Sequence, residues 1–415
     1  MKTKTVAITG LGTICGLGHD VDSVWSGLLA GRSGISAIER LNLADFTTRI
    51  GGEVKNFTIS QELLSAKDAP RYDHFLHFIL HATGEAWKDA KLADAPYSKQ
   101  RMACIFGVGM GGFPMLEETH RIYMEKGARR ISPFFIPGVI PNMSSGLVSL
   151  TFGLKGANYS ISSACASSAH AISAAAQEIM LGRHDVVITG GGEGAISYLA
   201  YGGFCSMKAL SRRNEDPTKA SRPFDKDRDG FVIGEGAGVI ILEDYEKARA
   251  RGAKIYALVV GHGATSDAFH ITAPHPEGEG AVASMRQSLE DAGISHQQID
   301  YINAHGTSTP LGDIAETKSI KQVFGQDASK VNISSTKSMT GHLLGGAGGL
   351  ETLVCAKAIY HGEIPPTINI ENPDPECDLN YTANQSVKKK IRYALNNSFG
   401  FGGTNSSLVL KHPEA

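Results

Sequence analysis

The sequence predicts an α/β protein made of two similar halves, its sheets enclosing buried helices in α-β-α-β-α layers. Three observations predict this. Short, continuously apolar strand patterns alternate with helical ones, as they do in sheets covered on both faces. Five of the strand patterns recur in the same order later in the chain, the mark of a duplication. The 48 glycines gather at strand ends, while only 16 prolines and no low-complexity tract occur, so the chain packs a core instead of staying disordered.

The first strand pattern, residues 6–10, follows a start without the long apolar segment of a signal peptide, and 257–261 echoes it. Helical patterns at 21–29, 73–90 and 280–292 belong on the outside of the sheets. The strand at 103–107 has its counterpart at 301–305. A strand at 159–163 runs into a helix of small residues, which packs backbone against backbone and is therefore central. That unit recurs as 331–337 followed by a helix from about 345 to 360. Residues 186–190 match 392–398, and 238–242 match 407–410. The halves divide as 1–254 and 255–415, and with no flexible linker between them they form one compact unit.

Composition narrows the function classes. A chain of 415 residues suits two or three domains at about 150 residues each, and a hydrophobic fraction of 42% supports ample cores. A net charge of −2 gives no bulk attraction to nucleic acid. The six cysteines include no CxxC pair, so neither a zinc site nor a disulfide framework is expected. No apolar run reaches the roughly 18 residues of a membrane span. A reducing, cytoplasmic setting with no nucleic-acid or membrane partner follows as the expectation.

Chemistry concentrates at Cys165. From Ala157 to Ala176 there is no Asp, Glu, Lys or Arg, and a thiol in the first turn of such a helix meets unpaired N–H groups and the positive dipole end. Thiolate is then expected more readily than for a free thiol, whose pKa is about 8.5. Three segments of the second half end matching strands: 303–313 with His305, 334–345 with Lys337 and His342, and 396–405, a glycine-rich turn with free backbone N–H groups. A site where the halves meet collects all four.

Two other patterns are set aside. Gly107 to Gly112 fits GxGxxG, yet the acidic residue a dinucleotide site needs at the end of the next strand is missing, so a tight turn beside a pocket is expected. Asp225 to Gly230 opens like a calcium loop, but Gly236 stands where the closing Glu belongs and Lys226 and Arg228 cut the negative charge. A salt-bridged loop is expected, and no metal site.

Four motifs together resemble the elongating β-ketoacyl-[acyl carrier protein] synthases: Ser-Ala-Cys-Ala-Ser-Ser-Ala-His (163–170), His-Gly-Thr-Ser-Thr-Pro (305–310), Lys-Ser-Met-Thr-Gly-His (337–342) and Asn-Ser-Phe-Gly-Phe-Gly-Gly-Thr-Asn (397–405). The resemblance covers essentially the whole chain and is synthase II-like overall, with a synthase I-like first motif. It implies the thiolase fold and a decarboxylating Claisen condensation in fatty acid, polyene or polyketide elongation. By it, Cys165 carries the acyl group, and His305 and His342 donate to the enolate oxygen of decarboxylated malonyl. Lys337 orients the His342 loop and pairs with Glu351. The N–H groups of Cys165 and Phe401 bind the tetrahedral oxyanion, with Phe399, Gly400 and Phe401 forming a gate.

The same resemblance implies that no resident cofactor is used, because phosphopantetheine arrives on an acyl carrier protein. It places Met110, Phe204, Phe135, Thr307 and Thr309 around the substrate, and Lys67, Arg71, Arg129, Arg130 and Lys208 at the carrier-protein patch, where Pro70 replaces a basic residue common in the family. A homodimer is implied, with a heterodimer of unlike ketosynthase subunits as the alternative. Met110, bulky but flexible, stands where a small residue passes long chains, so restricted chain length is expected. Two rivals remain. A thiolase acting on coenzyme A esters usually has a second Cys in the last loop, and Gly402 to Asn405 has none. A non-catalytic chain-length subunit lacks the nucleophile that Cys165 provides.

Overall fold

The computed structural model describes residues 4–415. Ten strands carry the core. In the first half they are β1 (Val6–Cys15), β2 (Met102–Gly107), β3 (Asn158–Ile161), β4 (Val186–Glu193) and β5 (Gly236–Asp244). In the second they are β6 (Ala257–Ser266), β7 (Tyr301–Asn303), β8 (Asn332–Ser334), β9 (Tyr393–Gly400) and β10 (Thr404–Lys411). Their spatial order is β8-β7-β9-β10-β6-β1-β5-β4-β2-β3. From the centre outward, β1-β5-β4-β2-β3 is thus repeated as β6-β10-β9-β7-β8. The directions repeat too: in each half two antiparallel pairings precede two parallel ones.

One expectation needs correcting. The two sheets are not separate, because Val6, Ala7 and Ile8 pair antiparallel with Val259, Leu258 and Ala257. β1 and β6 are the inner edges of their halves, and pairing them satisfies main-chain groups that would otherwise be bare.

Four helices define the layers: α1 (His74–Asp89), α2 (Ser167–Met180), α3 (Glu279–Asp291) and α4 (Ala347–His361). α2 and α4 pack on each other and on strands of both halves, so they form the middle layer. Small residues make this approach feasible. The Ser168 hydroxyl accepts the Gly349 N–H at 2.9 Å, and a Cβ at Gly348 would stand 2.9 Å from the Ala169 nitrogen. α4 is buried from Ala347 through Ile359, as a helix with no free face must be. α1 lies on the outer face of β1, β5 and β4, and α3 on that of β6 and β10. The outer contacts are equivalent: a Cβ at Gly12 would reach within 1.9 Å of the Ala82 carbonyl oxygen, and one at Gly263 within 2.0 Å of that of Ser284. The largest apolar cluster, running from Val6 and Ile8 through Leu350 and Val354 to Leu408, lies between the layers. Each such side chain contributes about 1.5–3 kcal/mol on burial. Among the described residues no helix is long and apolar enough to cross a membrane.

Candidate active site

β3 delivers the chain to Cys165 through a sharp elbow. Ala164 takes a left-handed conformation (φ 50°), which costs a non-glycine residue about 1–2 kcal/mol. Local serines hold it there: the Ser167 hydroxyl accepts the Ser163 N–H at 2.9 Å and donates to the Ala164 carbonyl at 2.6 Å. The Ser163 hydroxyl in turn meets His170 Nδ1 at 2.7 Å. Helix α2 begins only at Ser167, so Cys165 stands just before its capping residue and not within the first turn. The half-buried thiol looks into a cavity of about 560 Å³.

The second half supplies the opposite wall. His305 follows β7, and its backbone N–H and that of Gly306 are held by the Glu316 carboxylate at 2.9 and 2.7 Å. His342 is pinned through its own backbone, donating to the Val232 carbonyl at 2.8 Å and accepting from the Gly234 N–H at 2.9 Å. The two imidazoles meet edge to face, centroids 5.4 Å apart at 84°. Both are held well below the ordinary histidine range, first by burial and then by the Lys337 ammonium, with His342 adding to the effect on His305. They are neutral at physiological pH. His305 Nδ1 and both ring nitrogens of His342 have no hydrogen-bond partner in the protein, although buried polar atoms are nearly always paired. Such nitrogens are free to bind an oxygen of a substrate.

Lys337, only 2% exposed, opens the short helix Lys337–Thr340 and donates to the buried Glu351 carboxylate of α4. The β9–β10 turn closes the site. A Cβ at Gly400 would lie 3.0 Å from the Cys165 nitrogen, and Gly402 and Gly403 hold φ of 85° and 69°. The Phe401 N–H lies close enough to the Cys165 sulfur to favour its thiolate. The Phe401 ring, 37% exposed, stands at the mouth with its centroid 6.4 Å from that of Phe204.

Burial works against the easily formed thiolate that the helix end favours. Burial pushes the Cys165 thiol up to about 12, against the pull of the Lys337 charge and the Phe401 N–H. That rise is on the order of 4 kcal/mol, whereas a helix end supplies about 0.3–1 kcal/mol and rarely 2. Desolvation wins. Alkylation of Cys165 by iodoacetamide is therefore expected to keep accelerating, about tenfold per pH unit, between pH 7 and 10. A rate that levels off below pH 8, measured by mass spectrometry of the modified peptide, would show that the helix end dominates.

Met110, Phe204, Thr307, Thr309 and Lys208 line the same cavity as Cys165, His305, His342, Phe399, Gly400 and Phe401. Phe135 does not. It belongs to the short helix Phe135–Val139, packed against the helix Phe113–Lys126 and outside the cavity of its own chain. Lys67, Arg129 and Arg130 are exposed on the surface. Arg71 pairs with Asp68 and stacks 4.1 Å from the centroid of the Phe134 ring. The loop that imitates a calcium site is ion-paired: Arg228 meets Asp313 and Asp374, and Asp225 accepts the amides of Glu371 and Asn372. Among the described residues no acidic, His or Cys cluster is arranged to hold a metal.

Two carboxylates escaped the sequence reading: Glu316, which seats His305, and Glu193, at the end of β4. The signal for Glu193 was present, since it is the single charge in the apolar, glycine-rich stretch 186–198.

Comparison with known proteins identifies the family. Residues 3–248 match the Beta-ketoacyl synthase, N-terminal domain, and residues 256–371 the C-terminal domain of the same family. The chain belongs to the β-ketoacyl synthase family. It is 49% identical over 411 residues to a Synechocystis 3-oxoacyl-[acyl-carrier-protein] synthase 2, covering 99% of both chains. A solved type II PKS acyl-carrier protein in complex with its ketosynthase bound to the hexaketide aligns with a TM-score of 0.90 and 33% identity, over 99% of each chain. The ishigamide ketosynthase/chain length factor aligns at 0.89 and 31%, again over 99% of each. The duplicated five-layer arrangement is the thiolase fold.

Proposed function

We propose that the protein condenses an acyl group held on Cys165 with malonyl-[acyl carrier protein], releasing CO₂ and forming β-ketoacyl-[acyl carrier protein] in fatty acid or related chain elongation. One observation carries the reading: a thiol beside the Phe401 N–H shares a cavity with two uncharged histidines, of which His305 Nδ1 and both ring nitrogens of His342 lack protein partners.

The steps follow from these groups. Cys165 sulfur attacks the acyl thioester while its oxyanion accepts from the N–H groups of Cys165 and Phe401. Because burial disfavours the free thiolate, the proton leaves as the bond forms and ends on the departing pantetheine sulfur. Malonyl thioester then binds. Its carbon–carboxylate bond breaks, CO₂ departs, and the electron pair becomes an enolate whose oxygen accepts N–H bonds from His305 and His342. A neutral imidazole serves because it donates a hydrogen bond without adding a second buried cation beside Lys337. The enolate carbon attacks the Cys165 thioester, and the sulfur leaves and regains a proton from water. Lys337, through Glu351, holds the His342 segment against α4.

The carrier protein docks at Lys67, Arg71, Arg129, Arg130 and Lys208 and passes its arm between Thr307 and Thr309, with Phe401 and Phe399 as the gate. No resident cofactor enters these steps. The two halves divide at 254/255. We place the enzyme in the cytoplasm as a homodimer, for which the outer sheet edge β3 and its exposed Tyr159 speak. The likeness to a ketosynthase/chain length factor favours a heterodimer as the second arrangement.

A panel of acyl carrier proteins of increasing chain length, offered with malonyl carrier protein and read by mass spectrometry, tests the reading. Wild type is expected to elongate the shorter members. Met110→Gly is expected to extend the range upward, since it opens the cavity by most of a side chain. Absence of any β-ketoacyl product would reject the function, and identical profiles would reject the role of Met110.

A further inference from the structure

The glycine turn at 107–112 that imitates a nucleotide loop has its amides already occupied. Gly109, Met110 and Gly111 donate to the Glu193 carboxylate at 2.9 to 3.2 Å, and Gly345 donates to the same group at 3.1 Å. Glu193 is fully buried. Burial pushes its carboxyl up to about 7, with the four amides pulling the other way. The two loops lie backbone on backbone: a Cβ at Gly345 would stand 2.2 Å from the Gly109 nitrogen and 2.7 Å from a Glu193 oxygen. One loop carries Met110 into the cavity, while the other follows directly from His342, and Met110 and Gly345 both line the cavity.

We propose that Glu193 is a specificity-determining positioning residue: its carboxylate fastens the Met110 loop to the Gly345 turn, so one buried group sets the depth of the acyl pocket relative to His342. The proposal rests on the reading of that cavity as the acyl site. The ionised form, which the four amides favour, suits the task because both its oxygens only accept and all four facing groups donate. Glutamine keeps the size but turns an NH₂ toward N–H donors, so at least one loop is released.

The test compares acylation of Cys165 across donor chain lengths in wild type, Glu193→Gln and Glu193→Asp. In Glu193→Gln the ratio of long-chain to short-chain kcat/KM is expected to change about tenfold, the worth of one hydrogen bond to a charged group. Glu193→Asp, which keeps the charge at shorter reach, is expected to fall between. A merely structural role lowers every length in parallel, and an unchanged ratio would overturn the proposal. Should these variants not fold, hydrogen exchange in wild type and Met110→Gly decides. Loosening at 109–111 is expected to be accompanied by loosening at Gly345, and a change confined to 109–111 refutes the coupling. Wild type that accepts no acyl group at all would instead defeat the synthase reading, while the exchange comparison still judges Glu193.

Discussion

Cys165→Gln is expected to abolish condensation while malonyl carrier protein still loses CO₂. In the proposed mechanism the sulfur is needed only to hold the acyl group, whereas residues of the other half stabilise the enolate. A glutamine amide occupies the thioester position without forming a covalent bond. In that background His305→Ala and His342→Ala are each expected to slow CO₂ release by about 10²–10³, the cost of losing one aligned oxyanion donor. Release of labelled CO₂ from malonyl carrier protein checks both. If decarboxylation disappears with Cys165→Gln alone, the division between sulfur and imidazoles is wrong.

Lys337→Met is expected to destabilise the protein by about 3–5 kcal/mol, because it leaves the buried Glu351 carboxylate without its cation. The double variant Lys337→Met/Glu351→Leu is expected to recover most of that loss, since replacing both partners of a buried pair is close to neutral. The sign of the pH dependence is specific. Burial already raises Glu351, with Lys337 opposing it, and removing Lys337 raises it further. A carboxyl whose folded pKa exceeds its unfolded one favours folding below the unfolded value and loses that contribution as pH rises through the folded value. The single variant is thus expected to lag wild type more at pH 8 than at pH 5. Melting temperatures of the three proteins at both pH values measure this, and a lag independent of pH would mean that Glu351 is not the group left unpaired.

Much of this was legible in the chain itself because it rests on repetition and local pattern. Five strand patterns returning in order announce a duplication without any coordinates. The charge-free run around Cys165 marks a buried helix, since only small neutral residues let α2 and α4 touch backbone to backbone. The strand-end position of His305 and the loop position of His342 after the matching strand follow from the same alignment of halves. The group that fills the amides of the GxGxxG turn is far away in sequence: Glu193 lies 82 to 84 positions from the amides it accepts there and 152 from Gly345.

The succession of strand patterns along the chain, the duplicated layers and the candidate reacting side chains were legible in the sequence alone, because periodicity and motif are properties of neighbouring residues. Only the tertiary structure decided that the sheets join through β1 and β6, that Phe135 lies outside the cavity of its own chain, and that burial raises the Cys165 thiol. It also decided which carboxylates seat the loops of the site. Pairing of edges, desolvation and long-range hydrogen bonds depend on what surrounds a group in space, and that surrounding comes from distant parts of the chain.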